Sequence, residues 1–235
     1  MSNQTPKSKE GTTMKRILEI GGVVAGVVLI AFGAAAIVLA NNGKNTVANE
    51  LKFQQITGTP DMSPTAIKAE VAGQKWAVGY TFPTCTVANQ AIINGDQARC
   101  FGEYMKVHTL EATQGVPYAL MGRYVALPDA PKSALTQDGA TNDTKYAQLD
   151  PKTQQPFENG ARNIWVTYTS LTGALNASYM AEQMTNFGIV AGIAFLLSGI
   201  GFVILALGGA LENQWAFAKK EEEKTVDAGA TPLNV

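Results

Sequence analysis

The sequence predicts a membrane protein, mainly α: two antiparallel transmembrane helices around a mostly helical extracytoplasmic domain that carries a small β element and one disulfide. Three observations lead there. Ile20 to Ala40 (IGGVVAGVVLIAFGAAAIVLA) and Phe187 to Leu211 (FGIVAGIAFLLSGIGFVILALGGAL) contain no charged residue. Basic residues gather on the far side of each stretch. The only two cysteines, Cys85 and Cys100, both lie between the stretches. Charged residues make up 16% of the chain, against about 25% in soluble proteins.

Each apolar stretch is long enough, at about 1.5 Å per residue, to cross a hydrocarbon core of about 30 Å. Both are apolar on every side, whereas a surface helix of a soluble domain keeps a polar stripe. The first is longer than the 7–15 residues of a leader's apolar region and is read as a retained span. Lys7, Lys9, Lys15 and Arg16 precede it, and Lys219, Lys220 and Lys224 follow the second span. On the inner flanks only Lys44 and Lys52 lie near the first span, and none is near the second. The positive-inside rule then puts both termini in the cytoplasm. The resulting division is a cytoplasmic tail (1–15), a first span (16–41), an extracytoplasmic domain (42–186), a second span (187–211) and a cytoplasmic tail (212–235).

The outer segment has 11 basic and 12 acidic side chains, too balanced for steering a charged ligand or binding nucleic acid. Two cysteines on the oxidising side read as one disulfide, Cys85 to Cys100. Ser63 and Pro64 form a helix start, a capping oxygen followed by a residue with no N–H to lose. Gly73 can end that helix. KWAVGYTF, residues 75–82, alternates Trp76, Val78, Tyr80 and Phe82 and reads as a half-buried strand. Residues 91–93 offer a short partner for it. Asp96 can cap the next helix, on which Ala98, Phe101, Met105, His108 and Ala112 fall on one face. Gly115 and Pro117 end that helix, and YALMGRYVAL is able to resume it. Residues 126–160 form a long polar loop, either functional or mobile. From about residue 160 an unbroken helical pattern is expected to run into the second span and on to about 218, with Trp215 and Phe217 at an interface. The KKEEEK run at 219–224 is a solvated helix end.

His108 is the single histidine. On an apolar face it reads as an interior residue whose ring bonds Glu111 or a backbone carbonyl, with His108, Glu111, Tyr104 and Tyr118 as possible ligand contacts. No serine–histidine or cysteine–histidine set is legible, so no catalytic residue, metal or cofactor is expected. The spans contain Gly22-x-x-x-Gly26 and Gly188-x-x-x-Gly192, small residues that let helices approach closely. In antiparallel helices these two motifs lie at different depths. Each therefore packs either on larger residues of the other span or on another subunit. The lack of ionisable residues in the spans argues against an ion path.

The stretch CFGEYMKVHTLEATQGVPYALMGRY, the run from Arg162 to Phe202 and ITGTPDMSP together resemble a family of small actinobacterial membrane proteins. The resemblance covers most of residues 16–210. Its core is His-x-Leu-Glu-Ala-Thr-x-Gly: here His108, Leu110, Glu111, Ala112, Thr113 and Gly115, followed by Tyr118 and Met121-Gly122-Arg123. Where many members have Gly-Gly after the Ala-Thr pair, this chain has Gln114-Gly115. The resemblance implies two spans around an extracytoplasmic segment. The family often carries the label "aromatic ring-opening dioxygenase". Extradiol ring cleavage uses a non-haem iron held by two histidines and a carboxylate, and one histidine cannot supply that within one chain. The expectation is a non-catalytic protein that acts by interaction, as an envelope component or accessory subunit. Its partners would be the lipid bilayer and other membrane subunits or further copies of itself. The alternative is an extracytoplasmic sensor or small-ligand module.

Overall fold

The computed structural model describes residues 9–208, with side chains from Arg16 onward. Four α-helices follow in order: α1 (Lys9–Phe53), α2 (Pro64–Glu70), α3 (Gly95–Ala112) and α4 (Gly160–Leu207). Four 3-10 turns, Lys75–Ala77, Tyr118–Leu120, Lys132–Ala134 and Thr144–Tyr146, punctuate the connections. The expected helix end near 218, Trp215, Phe217 and the 219–224 charge run lie outside the described residues. The described residues divide into two compact units: residues 9–42 with 185–208, and residues 43–184.

In the first unit the two apolar helical stretches pack antiparallel, because Gly26 meets Gly199, Gly33 meets Gly192 and Ala40 meets Gly188. A Cβ at Gly33 would stand 2.6 Å from the Gly192 carbonyl oxygen, and one at Gly199 would stand 2.6 Å from that of Gly26. Only glycine allows backbones this near. The buried small residues repeat every seven positions, Gly26, Gly33 and Ala40 on one helix, Gly192, Gly199 and Ala206 on the other. Seven is the spacing that keeps one seam facing a partner helix. Of the expected glycine motifs, Gly22 is also buried, Gly26 packs on Val203, Gly192 on Ile37, and Gly188 sits half-buried beside Ala40. The rest of the surface stays apolar and uncovered. Phe32, Leu39, Phe187 and Leu197 are exposed, and only 17% of the most apolar window of either helix is buried.

The second unit has its own core, built from Met62, Ile67, Val87, Ile92, Phe101 and Tyr104 with their neighbours. Its first element is the end of α1. Residues 41–53 continue the helix because Val47 and Leu51, one turn apart, turn into this core. In α2 the Ser63 hydroxyl accepts from the Ala66 N–H (3.3 Å), Pro64 fills the first turn and Ile67 is fully buried. In α3 the cap is Asn94, whose side chain accepts from the Gln97 N–H at 2.9 Å. Asp96 lies two positions too late to cap and sits in the first turn, where its charge suits the helix dipole. The buried Glu182 carboxylate accepts from the Gly95 N–H and lies 3.9 Å from Lys44, fixing the start of α3. The disulfide joins Cys85 to Cys100 in α3.

The buried face of α3 runs through Ala98, Phe101, Tyr104 and Val107. That line is rotated from the expected one: Met105 and His108 are half-buried and Ala112 is exposed. The helix ends in a Schellman arrangement, with the Gly115 N–H donating to the Leu110 carbonyl (2.7 Å) and the Gln114 N–H to that of Glu111 (3.1 Å). Gln114 is left-handed, φ +51°, where a glycine is usual. Gly115, φ +77°, faces Trp76 so closely that a Cβ would overlap the indole.

Among the described residues there is no strand, so the expected β element is reduced to isolated bridges. Lys75–Ala77 is a 3-10 turn, and Gly79 at φ +78° reverses the chain. Trp76, Tyr80 and Phe82 then contact one another edge to face. Val78, which a strand would put beside them, is 85% exposed. Residue 91 bridges to Thr57 rather than to this segment. The YALMGRYVAL stretch makes only the turn Tyr118–Leu120. The long 126–160 loop is folded around one carboxylate. Asp138 accepts from the Thr136 hydroxyl (2.6 Å), the N–H groups of Gly122 (3.1 Å) and Ala140 (3.3 Å), and the Asn159 amide (2.6 Å). Burial works against its charge, but these four bonds together outweigh burial and hold the carboxyl below the usual range.

Candidate functional site

Two of the stretches quoted for the family resemblance meet. Asp61 lies in ITGTPDMSP, two residues before the helix-capping Ser63, and its carbonyl accepts from the Ser63 N–H at 2.7 Å. His108 lies in the last two turns of α3. Its Nε2 is 2.5 Å from the Asp61 Oδ2, and both side chains are about a quarter exposed, 26% and 28%. Next to a carboxylate this ring nitrogen carries the proton and donates. Glu70, the last residue of α2, completes the group. One ligand atom each of Asp61, Glu70 and His108 lies within 4.8 Å of the others.

The charges in this group pull its carboxyls apart. Burial disfavours the Asp61 charge, yet hydrogen bonds from Thr59, its own backbone and His108, with the imidazole's charge, bring its pKa below the ordinary value. Glu70 goes the other way. Burial raises its pKa first, the negative charges of Asp61 and Glu111 add to that, and His108 offsets part of it. The result is a half-exposed cluster of two carboxylates and one imidazole from three separate segments. Chemically it can share a proton or hold a cation.

The four expected contact residues do not converge on one pocket. His108 bonds Asp61 and not Glu111. Glu111 instead accepts from the Gln74 side-chain amide at 3.0 Å. Tyr104 is fully buried, with its hydroxyl donating to the Cys85 carbonyl at 2.6 Å. Tyr118 is exposed, with the Arg162 guanidinium 4.2 Å over its ring. Two depressions on this unit, about 320 Å³ beside Tyr80, Phe82 and Lys106 and about 810 Å³ beside Arg123, Tyr124 and Tyr146, are lined by none of the four.

Asp61 and Glu70 were missed as site residues. Asp61 is 47 positions from His108, and no periodicity connects them. The one available signal was an acidic residue inside a quoted motif, next to a helix cap. Compared with known proteins, the chain matches no family model, no curated protein and no solved structure.

Proposed function

We propose that this is a two-span plasma-membrane protein with both termini in the cytoplasm. Residues 42–186 face outward and work by interaction, as an envelope component or accessory subunit of a larger membrane assembly. The observation that carries the reading is the uncovered apolar surface of the helical pair. A core helix of a soluble domain would be mostly buried; here 17% of each window is. Fully burying one Leu, Val or Phe gains about 1.5–3 kcal/mol, so leaving a belt of them in water is untenable and lipid is the natural cover. The glycine seam also argues against a removed leader, because Gly192 and Gly199 would lose the backbone they fit. The disulfide suits an oxidising compartment.

Interaction is favoured over catalysis by the partners of the candidate side chains. Tyr104, Glu111 and Tyr118 are each engaged within the chain, and both cysteines are oxidised. Extraction of native membranes in mild detergent, with chemical crosslinking beforehand, tests the reading. Defined membrane proteins are expected to co-purify and crosslink through exposed lysines of the 43–184 unit. A lone monomer with no crosslinked neighbour would overturn it. Labelling of a cysteine placed at exposed Thr84 by a membrane-impermeant reagent checks the topology. Labelling only after permeabilisation would reverse the orientation.

A further inference from the structure

We infer that Asp61, Glu70 and His108 form a zinc site that ties the 57–62 loop and the end of α2 to α3. An imidazole nitrogen with two carboxylate oxygens is a donor set zinc accepts, at about 2.0–2.2 Å from each atom. A tetrahedral ion with those bonds sets its ligand atoms about 3.3 Å apart. The three atoms here lie within 4.8 Å, with the His108–Asp61 pair at 2.5 Å bridged by a proton. An ion entering between them displaces that proton to solvent, leaves the ring neutral with its hydrogen on Nδ1, widens the pair slightly and takes up Glu70, whose exposed side chain already hydrogen-bonds Asp61. Water takes the fourth position.

Charge supports the same assignment. A neutral imidazole and two carboxylates carry two negative charges, which one dication cancels. Among the described residues neither Asp61 nor Glu70 pairs with a lysine or arginine; those cations reach Glu182 and Glu103 instead. The donor set also discriminates. Calcium and magnesium take oxygen ligands, whereas imidazole suits zinc and its neighbours. The three donors come from a loop, a seven-residue helix and α3, so the ion cross-links segments otherwise joined by core side chains and by the Asp61–His108 and Gln74–Glu111 hydrogen bonds. The membrane role proposed above is independent of this site.

Zinc titration of the full chain in detergent, with metal analysis after gel filtration, is the direct test. One zinc per chain is expected, with a rise in thermal midpoint that calcium and magnesium do not produce. Cobalt in its place should give the visible d–d absorption of a low-coordinate site. His108→Ala should abolish binding. Because that change also removes the Asp61 hydrogen bond, Glu70→Gln is the deciding variant. It removes a carboxylate that burial, Asp61 and Glu111 disfavour, so it should not lower the metal-free midpoint, and it should weaken zinc by at least about tenfold, since loss of even an outer-shell partner costs roughly 10–100-fold. No saturable zinc binding by the parent chain, or equal zinc affinity in Glu70→Gln, would overturn the assignment.

Discussion

Adding one methyl group at Gly33 should unsettle the helical pair, and the size of the effect follows from three distances. The new Cβ would meet the Gly192 carbonyl oxygen at 2.6 Å and the Cγ and N of Leu196 at 2.8 Å, where ordinary contact begins at 3.4 Å. The backbones must part by roughly 0.8 Å, and gaps of that size forfeit a quarter to a half of each dispersion contact. Overpacking of this kind costs about 1–3 kcal/mol. Alanine's better helix propensity returns up to about 1 kcal/mol, so Gly33→Ala should lose about 1–2 kcal/mol net. Gly21 and Gly201 supply the control, because nothing lies within 4 Å of a Cβ at either. Gly21→Ala and Gly201→Ala should be neutral or slightly stabilising by the same propensity. The measurement is loss of helicity of the full chain during SDS titration from mild detergent, compared across the three variants. Equal midpoints for Gly33→Ala and Gly21→Ala would refute the close antiparallel seam.

Three further outcomes are expected. Asp138→Asn sets an amide NH₂ against that of Asn159 and should cost about 1.5–3 kcal/mol at neutral pH, the range for a hydrogen bond to a charged group. Because the folded-state pKa of Asp138 is lowered, its contribution is present above the unfolded value near 3.8 and vanishes as pH falls through the folded value. Thermal midpoints of parent and variant should therefore converge as pH drops below about 4, and a constant gap would contradict the hub. Gln114→Gly should stabilise by about 1 kcal/mol, relief of a left-handed residue at 1–2 kcal/mol less the added unfolded-state entropy; a loss on thermal melting would show that the Gln114 side chain contributes to the fold. Replacing both Cys85 and Cys100 by serine should cost about 3 kcal/mol for a 15-residue loop, read as the drop in denaturation midpoint against the oxidised parent.

Composition and period were enough for the large elements. The two apolar stretches, the Ser63–Pro64 helix start and the disulfide are legible because each rests on local chemistry or on a count of two cysteines. The strand reading of 75–82 failed for a definable reason. Alternation records which side chains are apolar, and an aromatic cluster closed by a left-handed Gly79 produces the same alternation as a ladder. Val78, exposed at the tip, is the residue that separates the two. The glycine seam was half legible. Attention to four-residue spacing picks out Gly22, Gly26, Gly188 and Gly192, while the contacts follow the seven-residue series that adds Gly33 and Gly199.

His108 shows where local reading stops. Helical spacing sets it near the apolar face of α3, and the half-buried ring agrees with that much. Its partner, however, is decided by the turn that delivers Asp61, and that turn is set by Ser63 capping α2 and by Met62 filling the core. A ring at the edge of a core must satisfy its N–H either locally or across the fold. Glu111, the local choice three residues on, is already held by Gln74. Asp61 takes the ring, and Glu70 comes with it because it ends the same seven-residue helix whose capped start Asp61 precedes. The one histidine therefore joins a charge cluster at the surface and does not serve the interior, and the identity of its neighbours follows from how α2 docks.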